Sequence, residues 1–362
     1  MSINTTSDLV AYLQKFTEPE WLSAIEELLP EIHEVDRKAV QIWFRFFPLE
    51  LHRHVQAAQD RDEMIRGFAL QGDFELKNQI DTSHHFLFGH RYWKAVKAAI
   101  EAAAMSVPPA VAGGLTGSPD TNWLTNTIRT IAKSAATEAK ADTSLFTAIT
   151  AVGLMTLNQV GMEAFKAAPG EIKKPTGIMS KSPDAILADR AKDDSQGLLG
   201  FLKTVNKKFS VNFTGPHYSG KFPIMAEEEI ASASQKDRSR DWRAEDERSW
   251  EGPVPIECTA ASCGTCWVGV LGGEEKLTPV ERRERRQVKV FGYNQPADDQ
   301  PFIRLACQAR AHGNVTIVIP PWNGVFGKKV YNNIESVDLE PVTTSAKKLR
   351  ETIASATNPT EN

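Results

Sequence analysis

The chain has 362 residues, of which 41% are hydrophobic and 24% charged, with a formal net charge of −4. That length suits roughly two to three domains with ample chain for a core, and an acidic balance excludes a general nucleic-acid binder, which carries a basic surplus. No run of 18 uninterrupted apolar residues is present, so no helix is expected to span a membrane.

In chain order, Asp8 to about Ala104 reads as helical throughout. Thr17-Glu-Pro-Glu20 opens a helix with a hydroxyl cap, a proline in the first turn and an acid three residues on, the pattern of a capping box. Trp21, Ile25, Leu28 and Leu29 then recur at helical spacing, as do Val40, Trp43, Phe44 and Phe47. Pro48 starts the next helix, and Arg91 to Ala104 is again amphipathic. Residues 1–106 therefore form an all-α domain, ended by a Pro/Gly linker over 107–120. A helical pair, Trp123 to Ala141 and Ser144 to Ala167, continues that domain through 121–168. Within it Leu145 to Leu157 is apolar but dotted with Thr147, Thr150 and Thr156, and reads as a buried helix. Residues 169–207 hold a second linker, a short helix from Ser182 through Leu187, and an apolar group (Leu198, Leu199, Phe201, Leu202) read as a docking strap.

From Lys208 the period changes to two. Phe209-Ser-Val-Asn-Phe213 is a half-buried strand, Thr214-Gly-Pro-His217 a turn, and Lys221 to Met225 the return strand. Ala226 to Ile230 begins a helix, and the charge-dense run Ser232–Glu251, with Trp242 and Trp250 inserted, reads as a solvated helix or loop. Trp267 to Leu271 and Val315 to Ile319 are strands. Thr278-Pro-Val-Glu281 opens a helix, with threonine as the cap. The domain runs over 208–335, followed by a polar tail, 336–362, whose end from Thr352 is expected to fray.

The chain's four cysteines lie in this domain as Cys258-x4-Cys263-x2-Cys266, with Cys307 after a further 40 residues. That is the plant-type spacing of a [2Fe–2S] cluster, in which each iron takes two thiolates. Two disulfides would suit a small secreted scaffold, and nothing at the N-terminus has a signal-peptide pattern. A structural zinc site brings its ligands as two close sequence pairs, unlike three thiols in nine residues and one far away. Both alternatives fit the spacing less well. Free thiolate ligands also suit a reducing compartment, so a cytoplasmic location is expected.

The words Val254-Pro-Ile-Glu-Cys258, Ser262-Cys-Gly-Thr-Cys-Trp-Val268, Leu277-Thr-Pro, Arg304-Leu-Ala-Cys-Gln308 and Gly313-Asn-Val-Thr-Ile317, in this order of strands and helices, resemble the plant-type [2Fe–2S] ferredoxin family. The resemblance covers about residues 208–325 and does not reach the N-terminal helical region. It implies a β-grasp fold, making the whole chain an α+β multidomain protein: an all-α N-terminal domain followed by a ferredoxin-like domain. It also implies Cys258, Cys263, Cys266 and Cys307 as cluster ligands, and one-electron transfer at about −400 mV. The family commonly has glycine where Ala261 stands here, two residues before the second cysteine. The insert Ser232–Glu251 also lengthens the approach to Cys258.

His84, His85 and His90 gather among aromatics; either a second metal site or a helix junction would account for them, and no nearby acid pair completes a metal spacing. Arg282, Arg283, Arg285 and Arg286, with Lys289, form a basic patch. They either dock an acidic partner or lie on a solvated helix balanced by Glu281 and Glu284. No phosphate loop, dinucleotide fingerprint or nucleophile–base motif is present. The reading is an electron-transfer protein, or a subunit docked by its helical domain to an oxidoreductase, with a redox protein as partner or self-assembly through the helices. A redox enzyme whose helical domain binds a substrate or second cofactor, and a redox sensor, are the alternatives.

Overall fold

A computed structural model describes residues 8–74, 83, 85–106, 120–167, 177–191, 207–293 and 301–331. The Pro/Gly linker, the apolar strap around Leu198–Leu202, His84 and the C-terminal tail lie outside the described residues. The chain divides into two compact units, residues 1–59 with 75–189, and residues 60–74 with 190–362.

The first unit is helical: α1 (Asp8–Leu13), α2 (Glu18–Leu28), α3 (Glu34–Phe46), α4 (Leu49–Ala57), α6 (Trp93–Ser106), α7 (Thr121–Ala139), α8 (Ser144–Ala167) and α9 (Pro183–Arg190). At the start of α2 the Glu20 carboxylate accepts from the Thr17 N–H at 2.7 Å and its hydroxyl at 2.8 Å, closing the cap read in the sequence. Pro48 precedes α4 as its N-cap. Helix α8 is the core: Phe146 through Asn158 are all buried, and Gly153 lets Trp93 and Ile100 of α6 approach so closely that a Cβ there would stand 2.7 Å from Ile100 Cδ1. By length and composition α8 could cross a membrane, but 72% of its apolar window is buried inside the protein. It is kinked at Gly161, where φ is 75°, and continues to Ala167. Asp36 of α3, fully buried, accepts from the Phe88 and Gly89 N–H groups at 2.6 and 2.7 Å, tying the short 3-10 helix (Phe88–Tyr92) that precedes α6 to α3.

The second unit holds β2 (Lys208–Thr214), β3 (Ser219–Met225), β4 (Trp267–Gly272), β5 (Ile303–Leu305) and β6 (Val315–Val318) in one mixed sheet of order β3-β2-β6-β4-β5. Strands β2 and β6 run parallel and the other neighbours antiparallel. Phe209, Val211 and Phe213 alternate inward along β2, as period two requires. Helix α12 (Arg282–Phe291) buries Glu284, Gln287, Val288 and Phe291, one stripe at helical spacing.

Three findings depart from the sequence reading. The stretch from Asp8 to Ala104 is not helical throughout. Residues 60–74 leave the helical unit as α5 (Arg61–Gly67) and β1 (Gln71–Gly72), and β1 pairs antiparallel with β7 (Trp322–Asn323). The charge-dense run is solvated only in part: Lys236, Arg238, Arg240, Asp241, Arg243, Glu245 and Glu247 are exposed, as read, but the run is also anchored to the domain. It carries α10 (Ile230–Ser234) and α11 (Trp242–Glu245), and buries Trp242, Arg248 and Ser249. Trp242 packs edge-on against Phe213 and Tyr218, both at 5.6 Å, while Arg248 holds Asp246, Asn323 Oδ1 and the Pro320 carbonyl. Finally, α12 begins at Arg282 with Glu281 as its N-cap. Thr278 cannot cap it, because its N–H donates to the Arg310 carbonyl at 2.9 Å and its hydroxyl oxygen accepts from the Arg310 N–H at 3.2 Å.

Candidate metal centre

The cysteines come together because of strand register. Trp267 on β4 pairs with Leu305 on β5, and the Ala306 N–H donates to the Cys266 carbonyl at 2.9 Å. The ladder therefore sets Cys266, one residue before β4, beside Cys307, two residues after β5, across 40 intervening residues. The segment leading to Cys258 is braced by the charged insert. Tyr218 donates to the Pro253 carbonyl at 3.0 Å, Ser249 Oγ donates to the same carbonyl at 3.2 Å, and Val254 N–H donates to Ser234 Oγ at 3.0 Å. Gly252 is wedged so tightly that a Cβ would fall 1.9 Å from the Ser234 carbonyl oxygen.

The loop itself turns through two left-handed residues, Ala261 at φ 58° and Gly264 at φ 72°. Gly264 also makes room for the Phe291 ring of α12, which a Cβ would meet at 3.1 Å. The Tyr293 hydroxyl donates to the Gly264 carbonyl at 3.3 Å, and its ring stacks on Trp267 at 3.8 Å. Burial drives the Tyr293 hydroxyl pKa well up, so it stays protonated and keeps that donor role.

All four cysteines are free; Cys258, Cys266 and Cys307 are buried and Cys263 is half-buried. They meet two and two. The Cys263 thiol donates to Cys258, which holds Cys258 well below the usual thiol range with help from the Ala260, Cys263 and Ser262 backbone N–H groups. Cys263 is pushed up in turn, first by Cys258 and then by burial. The Cys266 thiol likewise donates to Cys307, which is lowered first by Cys266, then by the Gln308 side chain and the Ala261 N–H. Within each pair one sulfur is held toward the thiolate and its neighbour toward the thiol; binding iron takes the thiolate form of both.

This donor set fits a two-iron cluster. Two cysteine pairs offer two sulfurs per iron, and backbone N–H groups already point at sulfurs that would carry the cluster's charge. Among the described residues no three His, Cys, Asp or Glu side chains converge as a single-ion site would need. Of the histidine group, His84 lies outside the described residues, and His90 Nδ1 lies 2.9 Å from Ser83 Oγ, with both residues buried.

The basic patch lies on α12, with Arg282, Arg283, Arg286 and Lys289 exposed and Arg285 half-buried. Glu284 does not balance it. Its carboxylate faces inward and is held by Arg304 at 2.8 and 2.9 Å and by the Leu305 N–H at 2.8 Å. Sequence reading gave no role to Gln308, Tyr293 or Phe291, which surround the cysteine loop. Gln308 stood in a recognised motif, but nothing in the pattern shows that its side chain folds back on Cys307. For Tyr293 and Phe291 the sequence gives no signal beyond aromatic character.

Residues 241–312 match the family model of the 2Fe-2S iron-sulfur cluster binding domain, and the N-terminal region matches no family. No curated protein and no solved structure matches the chain. The cofactor of the C-terminal domain is a [2Fe–2S] cluster, and its role is electron transfer.

Proposed function

We propose that Cys258 and Cys263 hold one iron, Cys266 and Cys307 the other, and that the protein is a dedicated one-electron carrier or electron-transfer subunit. The observation that carries this reading is the strand register that sets Cys266 beside Cys307, with the three-cysteine loop turned by Ala261 and Gly264. The mixed sheet with α12 packed beside it supports a β-grasp domain. The cluster supplies a reversible one-electron couple. The chain's own part is to present four sulfurs, to direct the N–H groups of Ala260, Ala261 and Ser262 at Cys258 and Cys307, and to exclude water from the Cys266–Cys307 side.

A shuttle needs only the ferredoxin-like domain, so the helical unit is read as the part that docks the protein to its oxidoreductase, in the reducing cytoplasm. Electrons would cross near α12, whose Phe291 touches the cysteine loop. Its Arg282, Arg283, Arg285 and Arg286, with Glu284 turned inward, suit an acidic redox partner. Two experiments test this. Cys307→Ser is expected to prevent assembly of a full cluster; a variant retaining two irons and two sulfides would refute the ligand set. Oxidation of the reduced protein by ferricyanide, an anion, is expected to slow as salt rises, because the local basic face attracts it despite the net charge of −4. A rate that climbs with salt would remove α12 from the electron path.

A further inference from the structure

Gln308 sits directly after the fourth cysteine, and the turn beneath it is fixed by its own N–H and that of Ala309, both donated to the Leu305 carbonyl at 2.8 and 3.0 Å. This folds its side chain back over the site. The amide nitrogen reaches Cys307 Sγ at 3.4 Å, the Cys307 carbonyl at 2.7 Å and the Thr259 carbonyl at 3.3 Å. Gln308 is half-buried and Thr259 exposed, so this amide stands at the solvent edge of the cysteine site, spanning the three-cysteine loop and the fourth ligand.

From this geometry we infer that Gln308 is a positioning residue that sets the reduction potential of the cluster through the Cys307 sulfur; the inference rests on the ligand assignment proposed above. Reduction adds one electron, and the added negative charge spreads onto the sulfur ligands. An N–H aimed at a ligand sulfur stabilises the reduced form more than the oxidised one and so raises the potential. The same amide ties Thr259 to Cys307, and a residue that served only as that tie would leave the potential unchanged. Leucine is the informative replacement. It keeps the bulk that shields the edge from water while removing the donor, whereas alanine would let water supply hydrogen bonds of its own.

The test uses the full-length holoprotein. Iron and labile sulfide are measured first; a wild-type protein without a [2Fe–2S] cluster would end the ligand assignment rather than this inference. Mediated redox titration is then expected to place Gln308→Leu at a more negative potential than the wild type. Gln308→Lys, which keeps a donor and adds a cation, is expected above it. In the reduced wild type labelled with ¹⁵N in glutamine side chains, electron spin-echo modulation is expected to show a nitrogen coupling. An unlabelled control and Gln308→Leu are expected to lack it. Equal potentials for wild type and Gln308→Leu at full cluster content would overturn the proposal. Should Gln308→Leu fail to hold a cluster, the spin-echo result on the wild type alone decides: no ¹⁵N coupling overturns it.

Discussion

At Ala261 the chain takes a φ of 58° in a segment that is 1% exposed, a conformation that costs an alanine roughly 1–2 kcal/mol. The turn aims the Ala261 N–H at Cys307, so the left-handed step is part of how the loop reaches the sulfurs. Ala261→Gly removes the Cβ conflict at the cost of extra backbone freedom in the unfolded chain. It is expected to stabilise the protein by about 1 kcal/mol in urea unfolding; a loss of stability would show that the alanine methyl is needed for packing. The Glu284–Arg304 pair is a second residue-scale device, with side chains 2% and 4% exposed. Glu284→Gln leaves the guanidinium without its counter-charge and is expected to cost about 3 kcal/mol. A double variant, Glu284→Met with Arg304→Met, is expected to recover part of that loss. Additive losses in the double variant would show that the two side chains act independently.

At the scale of elements, the most consequential piece is the shortest. Strand β1 brings Gly72, at φ 81°, to where a Cβ would stand 2.5 Å from the Pro321 carbonyl and 2.9 Å from Arg248 Nε. Around it the Val325 N–H donates to the Phe68 carbonyl at 2.8 Å, and the Asp73 N–H donates to the Pro321 carbonyl at 2.9 Å. Residues 60–74 are thus a built-in part of the iron–sulfur unit. Gly72→Val is expected to lower the urea midpoint at which the visible cluster band is lost, by an equivalent of at least about 2 kcal/mol. An unchanged midpoint would make the excursion dispensable. Nothing in the sequence announces it, because a two-residue strand has no period and its partner lies some 250 residues away. The hairpin of β2 and β3 was legible for the opposite reason: both strands are long enough to alternate, and a Gly-Pro turn joins them. The charge run was legible as a solvated face for most of its charges but not at Arg248, because composition does not reveal pairing; Asp246 neutralises Arg248, Asn323 covers it, and Trp242 among the charges is the anchor. Thr278 misled in the same way, as a capping residue engaged by Arg310.

For the molecule as a whole, the site was more legible than the fold that carries it. Cysteine spacing is dictated by the cluster's geometry and survives any change in the surroundings, so the sequence alone marks four residues as the expected ligands. Their partners could not, since Gln308, Phe291 and Tyr293 reach the loop only through tertiary folding. Division into a helical unit and an iron–sulfur unit gives each part its own core, around α8 in one and between sheet and α12 in the other. The measurement that bears most directly on the central claim is anaerobic iron and acid-labile sulfide analysis of the purified protein, with visible spectra before and after dithionite. Two irons and two sulfides per chain, with the visible band bleaching on reduction, are expected. Zinc, or iron without sulfide, would contradict the account.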